Sequence, residues 1–82
     1  MMKEIFPHIT VDSSTQFGKP VIAGTRVPVD LLVGHIAAGD SIEQVAAEYE
    51  VTREDVLTAL KYASKIIAGE TLIYGNAFSH SG

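Results

Sequence analysis

The residues most able to do chemistry are basic and hydroxyl side chains in the stretch TREDVLTALKYASK, residues 52–65. Arginine reads a guanine edge through two hydrogen bonds and lysine neutralises phosphate, so such side chains along one helix favour a nucleic-acid contact. The predicted DNA contacts are Thr52, Arg53, Thr58, Lys61 and Lys65. Arg53 is the expected base reader, and Lys65 is expected to reach a flanking phosphate. Glu54 and Asp55 lie beside Arg53 and oppose the approach of phosphate.

The segment that positions these side chains is SIEQVAAEYEVTREDVLTALKYA, residues 41–63. Ser41 with Gln44, and Thr52 with Asp55, have the spacing of residues that cap a helix amino terminus. Two helices therefore join through a link at residues 50–52, which predicts a helix-turn-helix whose second helix is the recognition helix. The alternative is a three-helix core whose turn only resembles that of a DNA reader.

The preceding segment predicts a small β arm and a first helix. In PHITVD, Ile9 and Val11 alternate with polar residues, as in a strand with one buried face. The stretch GKPVIAGTRVPV, residues 18–29, predicts a hairpin that turns at Ala23 and Gly24, and Pro28 starts a helix that runs to about residue 38. Lys19 and Arg26 form a basic edge of this arm and are predicted auxiliary phosphate contacts.

The apolar spacing predicts which helix faces are buried. The first helix has a stripe of Val29, Leu32, Val33, Ile36 and Ala37, and the last has Val56, Ala59, Leu60, Ala63 and Ile67. Gly34 inside the first helix costs stability relative to alanine, and indicates either close approach by another backbone or a tolerated defect. Further apolar residues exceed what one small core needs and predict a homodimer or partner interface: Leu57, Tyr62, Ile66, Leu72 and Tyr74.

These elements together predict a mainly α single domain, a three-helix helix-turn-helix with a short amino-terminal β-strand and hairpin. Residues 1–28 form the arm, 29–69 the helical core and 70–82 a carboxy-terminal tail.

Composition excludes several classes of protein. The chain has no cysteine, which removes disulfides and thiolate zinc sites, and its apolar runs are too short for a membrane span. His8, His35 and His80 are too far apart to predict a metal site, and no phosphate loop or serine-nucleophile pattern occurs. We therefore expect a cytoplasmic protein that is not an enzyme and has no cofactor. The net charge of −4 restricts any DNA contact to a local basic patch.

The arrangement over about residues 7–66 resembles a prokaryotic family catalogued as domain of unknown function 433. The resemblance lies in GKPVIAGTRVPV, in AAGDSIEQVAAEY and in the T-x-E-D-V start of the last helix. This chain departs from the family at Phe17-Gly18, where two glycines are usual. The resemblance implies a homeodomain-like fold and an antitoxin that acts beside a PIN-like ribonuclease toxin.

Such an antitoxin would bind its operator DNA as a homodimer and block the toxin with another segment. The acidic residues Glu43, Glu48 and Glu50, or the tail with Glu70, are the alternatives for that segment. The rival hypothesis is a dimeric protein-interaction module that uses the same helices without nucleic acid, which the net charge of −4 favours. A small enzyme is a third alternative, and it would need a pocket of converging titratable groups.

Overall fold

The computed structural model describes residues 1–69, so the tail residues Leu72 and Tyr74, and Glu70, lie outside the described part. Three strands precede three helices, and this order confirms a mainly α small domain with a short amino-terminal sheet. The elements are β1 (Met2–Phe6), β2 (Ile9–Asp12), a short 3-10 helix (Gln16–Gly18), β3 (Val21–Ile22), α1 (Val29–Ala37), α2 (Ile42–Tyr49) and α3 (Arg53–Ile67).

The sheet is antiparallel, with β2 between β1 and β3. Sequence reasoning missed β1. Its first three residues are exposed and only Ile5 and Phe6 are partly buried, so this edge strand lacks the apolar alternation that would have indicated it. A register shift between Glu4 and Phe6 interrupts its pairing with β2.

The predicted alternation in β2 is wrong at one position. Ile9 is fully buried as expected, but Thr10 is also buried at 6% exposure, whereas Val11 is only partly covered. Thr10 pairs with Val21, which is itself buried, while Ile9 pairs with the buried Ile22. Both faces of this short part of the sheet are therefore covered.

The predicted hairpin is present between β3 and Pro28. The Ile22 N–H donates to the Val27 carbonyl at 3.0 Å, and Gly24 has a φ of 79°, which glycine adopts without a steric cost. The Thr25 hydroxyl donates to the Ile22 carbonyl at 2.7 Å and accepts from the Val27 N–H at 2.9 Å. These bonds tie the turn to the start of α1, since Pro28 is the residue that caps that helix.

The helix boundaries follow the predicted caps. Ser41 and Thr52 each form the reciprocal capping arrangement with the residue three positions on, Gln44 and Asp55 respectively. Between α2 and α3 the chain turns at Glu50, whose φ of 57° and ψ of 42° are left-handed. The α2–α3 angle thus depends on one non-glycine residue in a conformation that side chains rarely adopt.

One hydrophobic core joins the sheet to all three helices. It is built from Ile9, Ile22, Val29, Leu32, Val45, Val56 and Ala59. Two residues of the predicted buried stripes are exposed: Ala37, and Ile67 with 84% exposure. Each stands at the last residue of its helix, beyond the point where the neighbouring elements provide cover.

Candidate nucleic-acid interface on the third helix

One face of α3 carries three of the predicted DNA contacts. Thr58, Lys61 and Lys65 are three and four residues apart, so they share the helix face turned away from the buried Val56 and Ala59. Both lysines are exposed and Thr58 is partly buried. Glu54 lies one turn before Thr58 on the same face. The face therefore has two positive charges towards its carboxyl end and one negative charge near its start.

Arg53 is the first residue of α3 and contacts α2. Its Nε donates a hydrogen bond to Glu43 Oε2 at 3.1 Å, and the two side chains are 56% and 70% exposed. The hydrogen bond from Arg53 holds the pKa of the Glu43 carboxyl below its ordinary value. An exposed ion pair of this kind is weak and is screened by salt, so the guanidinium is held near α2 but remains accessible.

Thr52 has a structural role in addition to its predicted one. Its hydroxyl oxygen accepts the Asp55 N–H at 3.0 Å, while its own N–H donates to Asp55 Oδ2 at 3.0 Å. These two bonds satisfy backbone donors that the helix cannot pair internally. Thr52 and Asp55 thus fix where α3 begins, and with it the position of Arg53.

The structure does not bring Lys19 into the α3 face. Lys19 Nζ lies 3.2 Å from Asp30 Oδ2 on α1, and both side chains are more than half exposed. Lys19 lines a groove together with Ile66 of α3, and neither Lys61 nor Lys65 belongs to that lining. Arg26 is exposed at the hairpin turn, and no ion pair within residues 1–69 involves it.

The predicted interface residues occupy two sides of α3. Tyr62 packs edge-on against Phe6 of β1, with ring centroids 5.4 Å apart, so it partly closes the domain's own core. Ile66 is 49% exposed and lines the same groove as Tyr62. Leu57 is nine residues from Ile66, or about two and a half turns, and therefore lies on the opposite side of the helix.

A hydrogen-bonded chain of three polar side chains was missed by sequence reasoning. His35 Nδ1 lies 2.8 Å from Asp40 Oδ2, and the Tyr49 hydroxyl lies 2.7 Å from His35 Nε2. Burial raises the pKa of Tyr49, helped by the negative charges of Glu48 and Asp40. These two hydrogen bonds connect α1, the α1–α2 loop and the end of α2. His35 and Asp40 are close in sequence, but nothing local indicates Tyr49, fourteen residues away.

The loop before β3 contains the departure from the family pattern. Phe17 has a φ of 57° and is 99% exposed, and Gln16 beside it has a φ of 51°. Two consecutive side-chain-bearing residues in this conformation are strained, whereas glycine would adopt it without a steric cost. The loop is anchored at Asp12, which accepts the Ser14 N–H at 2.9 Å and the Ser14 hydroxyl at 2.7 Å. These bonds lower the pKa of Asp12 to about 2.

Two kinds of feature are absent from the described residues 1–69, a cluster of metal ligands and a membrane-spanning helix. Residues 1–69 contain no group of three or more histidine, cysteine, aspartate or glutamate side chains arranged to hold a metal ion. No helix in the same range has the length and apolar character needed to cross a bilayer.

The chain thus forms a small mainly α domain with a three-stranded sheet. Its last helix has a face with two exposed lysines, Lys61 and Lys65. A family model described as "Protein of unknown function (DUF433)" matches residues 9–63, and the chain belongs to that family. This confirms the resemblance seen in the sequence.

Among solved structures, the chain is similar to the crystal structure of Rv2018 from Mycobacterium tuberculosis, with 33% sequence identity and a TM-score of 0.59. The match covers 63% of this chain and 24% of that chain, so this chain corresponds to a minor part of the longer protein. No protein of curated function is a significant match to the sequence.

Proposed function

We propose that this protein is a DNA-binding antitoxin and autorepressor of a toxin-antitoxin pair, in which α2 and α3 form the helix-turn-helix. The observation that carries the proposal is the exposed α3 face with Thr58, Lys61 and Lys65, and with Arg53 at its edge. Capping residues fix the start of α3, so these side chains have a defined position relative to α2. The role is binding, without catalysis or a cofactor, in the cytoplasm.

Operator recognition in this proposal divides between two kinds of contact. Lys61 and Lys65 neutralise phosphates and supply affinity for any duplex. Arg53 leaves Glu43 and reads a base edge in the major groove, which supplies the sequence preference. The protein acts as a homodimer, so the two α3 helices enter successive major grooves about 34 Å apart.

The second activity, neutralising a PIN-like ribonuclease toxin, rests on the resemblance to the family. The exposed carboxylates Glu43, Glu48 and Glu50 at α2 and its following turn are one surface for that contact. They would approach a nuclease site that otherwise attracts the phosphates of RNA. The tail beyond Gly69 is the alternative segment.

A protein-interaction module without nucleic acid is the second candidate. The specific observation in its favour is that Arg53 is already paired with Glu43 while Glu54 stands on the same face as the two lysines. The net charge of −4 points the same way, since it repels a polyanion at long range.

The two candidates differ in DNA binding, measured by fluorescence anisotropy with the duplex upstream of the protein's own gene and with a shuffled duplex. We expect the upstream duplex to bind at least about 100-fold more tightly, because specific sites exceed non-specific ones by about 10³ or more. Arg53→Ala should reduce that ratio about tenfold or more. The matched control Arg26→Ala removes the same charge and should weaken both duplexes alike. Equal, weak binding of the two duplexes would reject the repressor role and favour the interaction module.

A further inference from the structure

Helix α1 is more apolar than its surroundings in this chain require. Its nine residues include only two polar side chains, Asp30 and His35, yet only Val29 and Leu32 are buried. A helix that is apolar on nearly all sides is ordinarily covered on all sides. The outer side of α1 therefore has an apolar surface that residues 1–69 do not cover.

That surface belongs to a continuous groove. One part runs along the outer side of α1 past Leu31, Gly34 and Ala38. The adjoining part lies between α1 and the end of α3, where Val33 faces Ile66 and Ile67. The two parts share Lys19, Asp30 and Gly34. Because Ile67 is 84% exposed and Ile66 is 49% exposed, a binding partner would bury substantial apolar area here.

Gly34 lies near the middle of the groove and is not explained by packing within the chain. It stands on the side of α1 away from Val29 and Leu32, and a Cβ placed there would meet no atom within 4 Å beyond its chain neighbours and the backbone of α1. Alanine would fit and would give a more stable helix. A glycine at this position is useful where a second helix crosses α1 with its backbone close by.

The polar groups at the rim indicate what kind of partner fits. Lys19 and Asp30 form an ion pair with Nζ and Oδ2 3.2 Å apart, so the rim carries one charge of each sign. Both ring nitrogens of His35 are engaged, by Asp40 and by Tyr49. A strongly acidic or basic partner gains nothing from such a rim. A second copy related by a twofold axis presents the same pair in reverse, so each lysine can face the other copy's aspartate.

We propose that a second copy of this chain packs into this groove, with the two α1 helices crossing at Gly34 and each copy's Ile67 buried by the other. The proposal rests on the proposed function in one respect, since it names the surface that forms the DNA-binding dimer. Association is measured without DNA, so either claim can fail alone.

The test is sedimentation equilibrium of the full chain at concentrations from roughly 1 µM to 1 mM. The wild type should be a monomer–dimer equilibrium. Ile67→Glu places a charge in the buried interface and should weaken association at least about tenfold. Gly34→Leu should do the same by separating the helices. Both positions are open in the single chain, so thermal unfolding should remain cooperative in each variant.

Ala47 on the exposed side of α2 provides matched controls. Ala47→Glu and Ala47→Leu introduce the same side chains away from the groove and should leave the dimer constant within about twofold. A wild type that is monomeric throughout, or a dimer that survives both Ile67→Glu and Gly34→Leu, would overturn the proposal. A dimer lost only in Leu72→Ser would assign the contact to the tail and would also overturn it.

Discussion

Arg53 Nε lies 3.1 Å from Glu43 Oε2, so the guanidinium expected to read a base is paired with a carboxylate of the preceding helix. The pair crosses the α2–α3 turn, and both of its side chains are more than half exposed. In the proposed complex, DNA would therefore compete with Glu43 for Arg53. Breaking the Arg53–Glu43 pair would reduce the affinity of the proposed recognition helix for DNA. Replacing Glu43 would remove this penalty.

Glu43→Gln should increase affinity for the upstream duplex about three- to tenfold, because Arg53 is released and one repulsive charge is lost. Glu48→Gln is the control, since it removes the same charge from the same helix away from Arg53. Anisotropy titrations at one salt concentration compare the two variants. Equal gains in both would mean that only net charge matters and that the Arg53–Glu43 pair does not restrain recognition.

Lys65→Ala should weaken binding to the upstream and shuffled duplexes by the same factor. It should also reduce the slope of log K against log salt by about 1, the value expected for the loss of one phosphate contact. Lys3→Ala removes another exposed lysine, from strand β1, and should leave the slope unchanged. A slope that changes equally in both variants would place the phosphate contacts elsewhere.

The turn between α2 and α3 predicts an unusual stability effect. Glu50 has a φ of 57°, a conformation that costs a side-chain-bearing residue about 1–2 kcal/mol and glycine almost nothing. In urea unfolding, Glu50→Gly should be about 1 kcal/mol more stable than Glu50→Ala. Within α2 the order should reverse, with Glu48→Gly about 1 kcal/mol less stable than Glu48→Ala. The same order at both positions would contradict the left-handed turn.

The lowered pKa of Asp12 predicts how the stability of the fold depends on pH in acid. Hydrogen bonds from the Ser14 N–H and hydroxyl lower its pKa from 3.8 to about 2. The ionised carboxylate therefore stabilises the folded state fully above about pH 4, and this stabilisation is lost as the pH falls through about 2. Thermal unfolding of Asp12→Asn should therefore show a lower Tm at pH 6 and a shallower fall of Tm between pH 4 and 2. Glu54→Gln is the control from α3. An unchanged pH profile in Asp12→Asn would show that these bonds do not persist in solution.

The features that could be predicted from the sequence are those formed between residues close together in the sequence. The capping residues Ser41 and Thr52 act within three positions, so both helix starts could be identified without tertiary information. The hairpin turn at Gly24 is equally local. These features explain why the starts of α2 and α3 and the hairpin agree with the sequence prediction.

The features that were missed depend on distant contacts. Strand β1 forms because Lys3 pairs with Val11 in β2, while its own exposed side chains give no alternating pattern. The Tyr49–His35 contact and the Arg53–Glu43 pair both join different helices, and neither spacing has a local signature. The burial of Ile67 was predicted from helical periodicity alone, which does not reveal where the covering elements end.

In the proposed complex, α3 lies along a duplex with the face that carries Thr58, Lys61 and Lys65 towards the DNA. The most direct measurement is an NMR titration of the full chain, labelled with ¹⁵N, with the upstream duplex. Amide shift changes should be concentrated at Arg53, Thr58, Lys61 and Lys65, and the sheet residues Lys3 and Val11 should be unaffected. Saturable changes confined to α1 or the sheet, or no changes at duplex concentrations well above those of the protein, would contradict it.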